Sequence, residues 1–131
     1  MSAVAANLFA QEEESNPRVL LVDSNKGNRH LLAAQLSTGP GLEVDITSTF
    51  ADTERRLQQG SAQYFVAVVN VKLKDAPDGS IVDLLNSASI PVIAFSLQDD
   101  REMRKKIVNK FVLDYIYIKS RQHFEHIENL V

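Results

Sequence analysis

The chain alternates between short apolar runs and longer segments in which apolar residues recur at helical spacing. Three runs, over residues 19–22, 65–69 and 91–95, are wholly apolar, which is typical of strands buried on both faces of a parallel sheet. Residues 42–47 alternate between apolar and charged side chains, which predicts a half-buried edge strand. Residues 114–118 complete a set of five predicted strands.

Helical spacing, capping residues and breakers define the segments between these runs. The predicted helices cover residues 26–37, 51–59, 80–86, 99–111 and 121–131. Asp23, Ser24 and Asn25 offer capping side chains before the first helix, and Gly60 ends the second. Strands that alternate with helices in this way predict an α/β fold, a doubly wound five-stranded parallel sheet. Ligand sites in such sheets lie at the carboxyl ends of the strands.

Composition limits the functional classes that the chain can belong to. With 131 residues, 44% of them hydrophobic and 24% charged, the chain is long enough for one globular domain. Its net charge of -3 gives no general attraction to nucleic acid or anionic lipid, and no apolar run is long enough to span a bilayer. The absence of cysteine fits a reducing compartment. We therefore expect a cytoplasmic domain that binds neither nucleic acid nor a membrane.

The two ends of the chain differ from its centre. Residues 1–17 have no basic segment and carry an acidic run at 12–14, so we interpret them as a flexible leader or a cloning remnant, not a signal peptide. A short helix over 3–14 that packs on something outside this chain is the alternative. Residues 18–131 form the single domain, and the last predicted helix has no capping residue at its end. We therefore expect a domain truncated within that helix and belonging to a longer protein.

Polar residues follow the predicted strands at the edge where the carboxyl ends meet. These positions are Asp23 and Ser24 after strand one, Asn70 after strand three, Ser96 after strand four, and Ile118 with Lys119 after strand five. Five short motifs accompany them, over residues 19–23, 68–73, 78–79, 90–96 and 114–115. In this order, over about residues 18–131, they resemble the receiver domain of two-component response regulators, the CheY-like family. The resemblance implies a bacterial signalling domain with a flavodoxin-like sheet in the strand order 2-1-3-4-5.

The resemblance also implies a chemistry that this chain has partly lost. In receivers, an aspartate after strand three attacks a phosphoryl donor, and two acidic residues after strand one help to hold Mg²⁺. Asn70 falls on the nucleophile position, and its uncharged amide cannot form an acyl phosphate. Asp23 matches the first acidic residue, whereas Ser24 replaces the second, so we expect weak or absent Mg²⁺ binding and no cofactor. Ser96 and Tyr115 match the hydroxyl and the aromatic residue that report phosphorylation.

The lysine that receivers place at the end of strand five is displaced. Counting from Asp114, its position falls on Ile118, and Lys119 comes one residue later. Because successive side chains of a strand point to opposite faces, Lys119 is predicted to point away from the pocket unless the strand end is bulged. We therefore predict a non-catalytic domain with no catalytic and no metal-ligating residues.

A degenerate receiver that acts as a phosphorylation-independent interaction, dimerisation or regulatory module is the function that this pattern favours. Its expected contact surface comprises helix four, strand five and helix five, and would bind a protein partner or a second copy of the chain. The residues assigned to this surface are Met103, Lys106, Tyr115, Tyr117 and Phe124. His123 and His126 are three residues apart but lack a third ligand, so we interpret them as a solvated helix face.

Three alternatives remain open from the sequence. The domain could be the phosphoacceptor receiver of a phosphorelay, either because Asn70 was engineered from aspartate or because Asp75 or Asp78 substitutes conditionally. The altered pocket could bind a small ligand. Residues 74–83 and 120–125 also resemble receivers joined to a second receiver and a diguanylate cyclase (GGDEF) output, whose enzyme activity would lie in a covalently linked domain outside this chain.

Overall fold

The structure is a computed structural model that describes residues 18–38, 41–59, 64–119 and 121–131, except the side chains of Arg121, Gln122 and Phe124. The expected leader over residues 1–17 lies outside these ranges. The elements of the described chain are β1 (Arg18–Val22), α1 (Lys26–Thr38), β2 (Glu43–Thr47), α2 (Phe50–Gln58), β3 (Val66–Asn70), α3 (Ser80–Ser87), β4 (Val92–Ser96), α4 (Arg101–Val108), β5 (Asp114–Tyr117) and α5 (Arg121–Leu130). None of the described helices is long and apolar enough to cross a membrane.

The strands form one parallel sheet in the order β2-β1-β3-β4-β5. Val22 at the end of β1 pairs with Thr47 of β2 on one side and with Val69 of β3 on the other. Since β1 and β3 are neighbours at the centre of the sheet, their carboxyl ends lie side by side at the point where the winding reverses. The predicted doubly wound sheet and its strand order are confirmed.

Helices cover both faces of the sheet, as the wholly apolar strands predict. On one face, Leu32 and Leu36 of α1 and Ile127 of α5 are buried against apolar side chains of the strands. On the other face, α3 and α4 bury a second cluster that includes Ile81 and Ile107, with α2 packed at its margin. Phe95 and Asn70 are both buried, so buried side chains extend to the carboxyl ends of the strands, where the polar residues lie.

Helix α4 is shorter than the predicted span of residues 99–111. The carboxylate of Asp100 accepts a hydrogen bond from the backbone N–H of Met103 at 3.0 Å, so Asp100 caps the helix and helical backbone begins after it. At the other end, Val108 is 53% exposed and Phe111 is 87% exposed. The end of α4 and the following loop therefore present apolar surface to solvent.

Candidate functional site

The carboxyl ends of β1 and β3 border a shallow cavity of about 400 Å³. Asp23 directly follows β1 and Asn70 ends β3, so the pairing of these strands brings the two side chains together. The other lining residues are Ser24, Asn25, Lys26, Lys72 and Lys74. This cavity lies at the sheet edge where the sequence places the receiver pocket.

Asn70 is 6% exposed and uses both ends of its side-chain amide. Its Nδ2 donates to Oδ1 of Asp23 at 3.1 Å, and its Oδ1 accepts from the backbone N–H of Lys72 at 2.9 Å. The orientation places an N–H donor, not an oxygen, toward Asp23. At this position the side chain acts as a donor to a buried carboxylate.

Asp23 is fully buried, and the two oxygens of its carboxylate have different surroundings. Oδ1 accepts from Asn70 and from the backbone N–H of Asn25, the latter at 3.0 Å. Oδ2 is buried and has no hydrogen-bond partner among the described residues. Burial raises the pKa of Asp23, and the hydrogen bonds from Asn25 and Asn70 oppose that effect.

Ser24 joins two loops above the sheet. Its hydroxyl donates to the backbone oxygen of Ser48 at 2.6 Å and accepts from the backbone N–H of Lys74 at 3.1 Å. These bonds connect the segment before α2 with the segment after β3. The Ser24 hydroxyl therefore helps to hold these two loops together.

Three lysines line this cavity, and the sequence analysis did not assign them to the site. Lys72 contacts two residues of the loop before α4, with its Nζ 2.7 Å from Oδ2 of Asp100 and 2.8 Å from Oε1 of Gln98. The hydrogen bond from Lys72 lowers the pKa of Asp100, with a further contribution from the backbone N–H of Met103. Lys72 follows Asn70 by two residues, and in extended backbone residues at this spacing point to the same side. The spacing could therefore have predicted that Lys72 lies beside Asn70.

Ser96 and Tyr115 lie on adjacent strands, with their side chains close to each other. The Ser96 hydroxyl donates to the backbone oxygen of Gln98 at 2.9 Å and accepts from its N–H at 3.2 Å. Tyr115 packs against the cluster formed by α3 and α4, and its hydroxyl is buried without a partner among the described residues. Burial raises the pKa of Tyr115, and the nearby Ser96 hydroxyl opposes that effect.

Ile118 and Lys119, which directly follow β5, have different surroundings. The N–H of Ile118 donates to the backbone oxygen of Ser96 at 2.8 Å, so the strand ladder continues to this residue. Ile118 is 6% exposed and packs in the cluster beneath α1 and α5, whereas Lys119 is exposed. Neither residue lines the cavity at Asp23 and Asn70 in the described part of the chain. The backbone N–H of Lys119 donates to Nδ1 of His123 at 2.9 Å.

The residues predicted to form the contact surface differ in how far they are exposed. Met103 is only 6% exposed because it packs beside Gly79, so its assignment to the contact surface was wrong. Lys106 is exposed, with its Nζ 3.3 Å from the backbone oxygen of Asp78, and Tyr117 is 39% exposed. The side chain of Phe124 lies outside the described residues.

The two loop aspartates considered as replacements for the nucleophile both accept hydrogen bonds from backbone N–H groups. The carboxylate of Asp75 accepts from the backbone N–H groups of Phe50 at 2.8 Å and Ala51 at 3.0 Å, at the start of α2. Oδ1 of Asp78 accepts from the N–H of Ser80 at 3.1 Å, at the start of α3. Both carboxylates therefore cap helices, and neither is among the residues that line the cavity with Asn70.

Several solved structures with the same fold are response regulators. The phosphorylated cyanobacterial phytochrome response regulator RcpA aligns with 88% of this chain and 91% of its own, at 16% identity and a TM-score of 0.78. Chemotaxis response regulator CheY4 of Vibrio cholerae aligns with 89% of this chain and 100% of its own, at 13% identity and a TM-score of 0.72. No protein-family model and no curated protein matches the sequence.

A longer protein is more similar in sequence. A two-component system response regulator/ggdef domain protein aligns with 88% of this chain at 29% identity and a TM-score of 0.75. This chain spans only 46% of that protein. The resemblance in the sequence motifs is confirmed, and the chain has the fold of the response regulator receiver domains of two-component systems.

Proposed function

We propose that the chain is a degenerate receiver domain of a bacterial two-component signalling protein, acting as a phosphorylation-independent interaction, dimerisation or regulatory module. The donation from Asn70 Nδ2 to Asp23 carries this proposal. A nucleophile at that position would have to present a charged oxygen to a phosphoryl donor. Asn70 instead supplies an N–H group to the carboxylate that receivers use near the metal.

The oxygen donors at the site support weak or absent Mg²⁺ binding. Magnesium requires near-octahedral oxygen ligation, commonly with one or two carboxylates. Among the described residues that line the cavity, Asp23 supplies the one carboxylate, and the Ser24 hydroxyl already bonds two loops. Three lysine side chains border the same space and would repel a divalent cation. This donor set supports the proposal that the domain binds Mg²⁺ weakly or not at all.

Phosphorylation of the purified domain tests the proposal directly. The chain is incubated with acetyl phosphate and Mg²⁺, and its intact mass is measured. We expect no added phosphoryl group. An adduct would overturn the proposal, and tandem mass spectrometry would then locate it, because the phosphoacceptor alternative requires modification at Asp75 or Asp78. The helix-capping hydrogen bonds of both carboxylates argue against that alternative.

The proposed contact surface comprises the exposed parts of α4 and β5 and the described part of α5. Lys106 and Tyr117 belong to it, and the exposed Phe111 and Leu113 extend it along the loop before β5. Leu113 is 64% exposed, so this loop adds apolar area that a partner would cover. Met103 is no longer included, because it contributes to the core.

Self-association tests whether a second copy covers this surface. Sedimentation velocity over a range of concentrations should show a dimer that the double variant Phe111→Ala/Tyr117→Ala weakens. Ile46→Ala is the control, since Ile46 is 39% exposed on β2, the edge strand at the opposite side of the sheet from β5. A wild-type monomer at all concentrations would exclude the homodimer and leave a separate protein or a covalently linked output domain as the partner.

The proposal also covers the output domain that the chain serves and the compartment in which it acts. The domain itself carries no catalytic role, and any enzyme activity, such as that of a diguanylate cyclase, would belong to an output domain outside this chain. The similarity to a response regulator/ggdef domain protein, of which the chain spans 46%, supports that arrangement. We assign the domain to the cytoplasm, without nucleic-acid or membrane binding.

A further inference from the structure

A second concave surface lies at the open edge of the sheet and shares no lining residue with the cavity at Asp23. It is a groove of about 580 Å³ beside the end of β2. Arg29 reaches it from α1 on one face of the sheet, and Arg55 and Arg56 reach it from α2 on the other. Ile46 and Ser48 lie between them. The groove therefore gathers three guanidinium groups from two helices around the edge strand.

The groove has the opposite charge to the chain as a whole. It is lined by three of the seven arginines in the sequence, and by one carboxylate, that of Asp52. The lining side chains therefore carry a net positive charge, although the chain has a net charge of -3. A local inversion of charge in a concave surface concentrates anions there.

The three guanidiniums keep hydrogen-bond donors that no described residue uses. Arg29 donates one N–H to the backbone oxygen of Asp23 at 2.9 Å and forms no ion pair with a described carboxylate. Arg55 pairs with Asp52, and Arg56 forms an ion pair with Asp45 at 3.7 Å, a separation too long for a hydrogen bond. Each guanidinium has five N–H donors, so most of them remain free for a ligand.

The backbone of α2 contributes nothing to anion binding in this groove. The carboxylate of Asp75 accepts the N–H groups of Phe50 and Ala51, and the Thr49 hydroxyl accepts the N–H of Asp52. The N-terminal amides of this helix are thus already bonded. The binding capacity of the groove comes from its arginine side chains.

We propose that this groove binds the phosphate group of a small phosphorylated ligand. A tetrahedral phosphate presents oxygens in several directions and can be held by guanidiniums that approach from two sides, whereas a carboxylate has two coplanar oxygens that suit one arginine. The volume lies within the range of small-molecule sites. Ile46, which is 39% exposed, offers an apolar surface to the rest of such a ligand.

A titration of the ¹⁵N-labelled chain with pyrophosphate tests this site, with sodium chloride used to hold the ionic strength constant. We expect saturable shifts of the amide signals of Ile46, Ser48 and Arg55 at millimolar pyrophosphate. The double variant Arg55→Gln/Arg56→Gln should weaken binding by about tenfold or more, because it removes two of three guanidiniums. The matched control is Arg101→Gln/Arg104→Gln on α4, which removes the same charge from an exposed surface elsewhere and should bind as the wild type does.

Three results would overturn the proposal. Shifts confined to Asn70, Lys72 and Lys74 would place the anion in the cavity at Asp23 instead. An equal loss of affinity in both double variants would show that net charge alone attracts the anion. Equal affinity for malonate, a dicarboxylate, would show that the groove does not prefer phosphate to carboxylate. An unchanged amide spectrum of each unliganded variant, outside the substituted positions, confirms that its fold is intact.

Discussion

The side-chain amide of Asn70 donates to the buried carboxylate of Asp23 across 3.1 Å, joining the ends of the two central strands. A receiver with a nucleophile here would hold two carboxylates at this distance, and the positive charge of a bound metal would offset their repulsion. In this chain a neutral donor removes that repulsion. This contact supports the proposal that the domain does not carry out phosphoryl transfer.

Asn70→Asp should therefore destabilise the domain at neutral pH. The substitution replaces a donor with a second carboxylate beside Asp23, so we expect a loss of about 1–3 kcal/mol in the free energy of unfolding. The loss should shrink as the pH falls, because the two carboxylates can then share a proton. Urea denaturation at several pH values measures the effect. Asn109→Asp, at the exposed C-cap of α4, is the control; its carboxylate meets the negative end of the helix dipole, so it should cost no more than about 1 kcal/mol.

Asp23→Asn should stabilise the domain increasingly as the pH rises from about 4 toward 7. The raised pKa of Asp23 means that the folded state binds its proton more tightly than the unfolded state does. The stabilisation of the wild type by proton binding to Asp23 is thus complete below the ordinary carboxyl pKa. It is lost as the pH rises through the pKa that Asp23 has in the folded state. An asparagine keeps an oxygen for Asn25 and Asn70 but carries no charge. A stability difference that stays constant between these pH values would contradict this prediction.

Asp75→Ala should make α2 less stable at neutral pH. The carboxylate accepts two backbone N–H groups at the start of the helix, which lowers the pKa of Asp75. This stabilisation is present above the unfolded-state pKa and is lost as the pH falls through the lower folded-state value. The melting temperature of the variant should lie below that of the wild type at pH 7, and the two should converge in acid. Asp99→Ala, an exposed aspartate before α4, serves as the comparison at both pH values.

Gly79→Ala should lower stability by at least about 1–2 kcal/mol. Gly79 has a φ of 81°, a left-handed conformation that an alanine adopts at a cost. A Cβ there would also lie 2.8 Å from Cδ1 of Ile107 and 3.0 Å from Sδ of Met103, so these side chains would have to shift. Thermal unfolding followed by circular dichroism measures the loss. Gly27→Ala, in the first turn of α1, has room for its Cβ and should be neutral or stabilising by about 0.5 kcal/mol.

The order and type of the elements followed from local patterns. Wholly apolar runs such as 91–95 predicted strands buried on both faces, and the alternation at Val44 and Ile46 predicted the edge strand β2. The end of α4 was harder to predict, because the apolar Phe111 fits a helical pattern even though tertiary packing leaves it 87% exposed. Met103 was misassigned for a related reason. Its side chain is buried in the core cluster formed by α3 and α4, close to Gly79, which is distant in the sequence.

The sequence by itself determined the α/β class, the order of the elements and the residues at the ends of the strands, because hydrophobic periodicity and strand-end positions are local properties. The strand order followed from the resemblance to receiver domains and is confirmed by the structure. The tertiary structure decided how those residues are used. It directs Asn70 toward Asp23, commits the Ser24 hydroxyl to two loops, and brings Lys72 to Asp100. It also gathers Arg29 of α1 with the arginines of α2 around the edge strand. Such contacts join residues far apart in the chain, and only the pairing of the strands and the packing of helices on the sheet fix their distances.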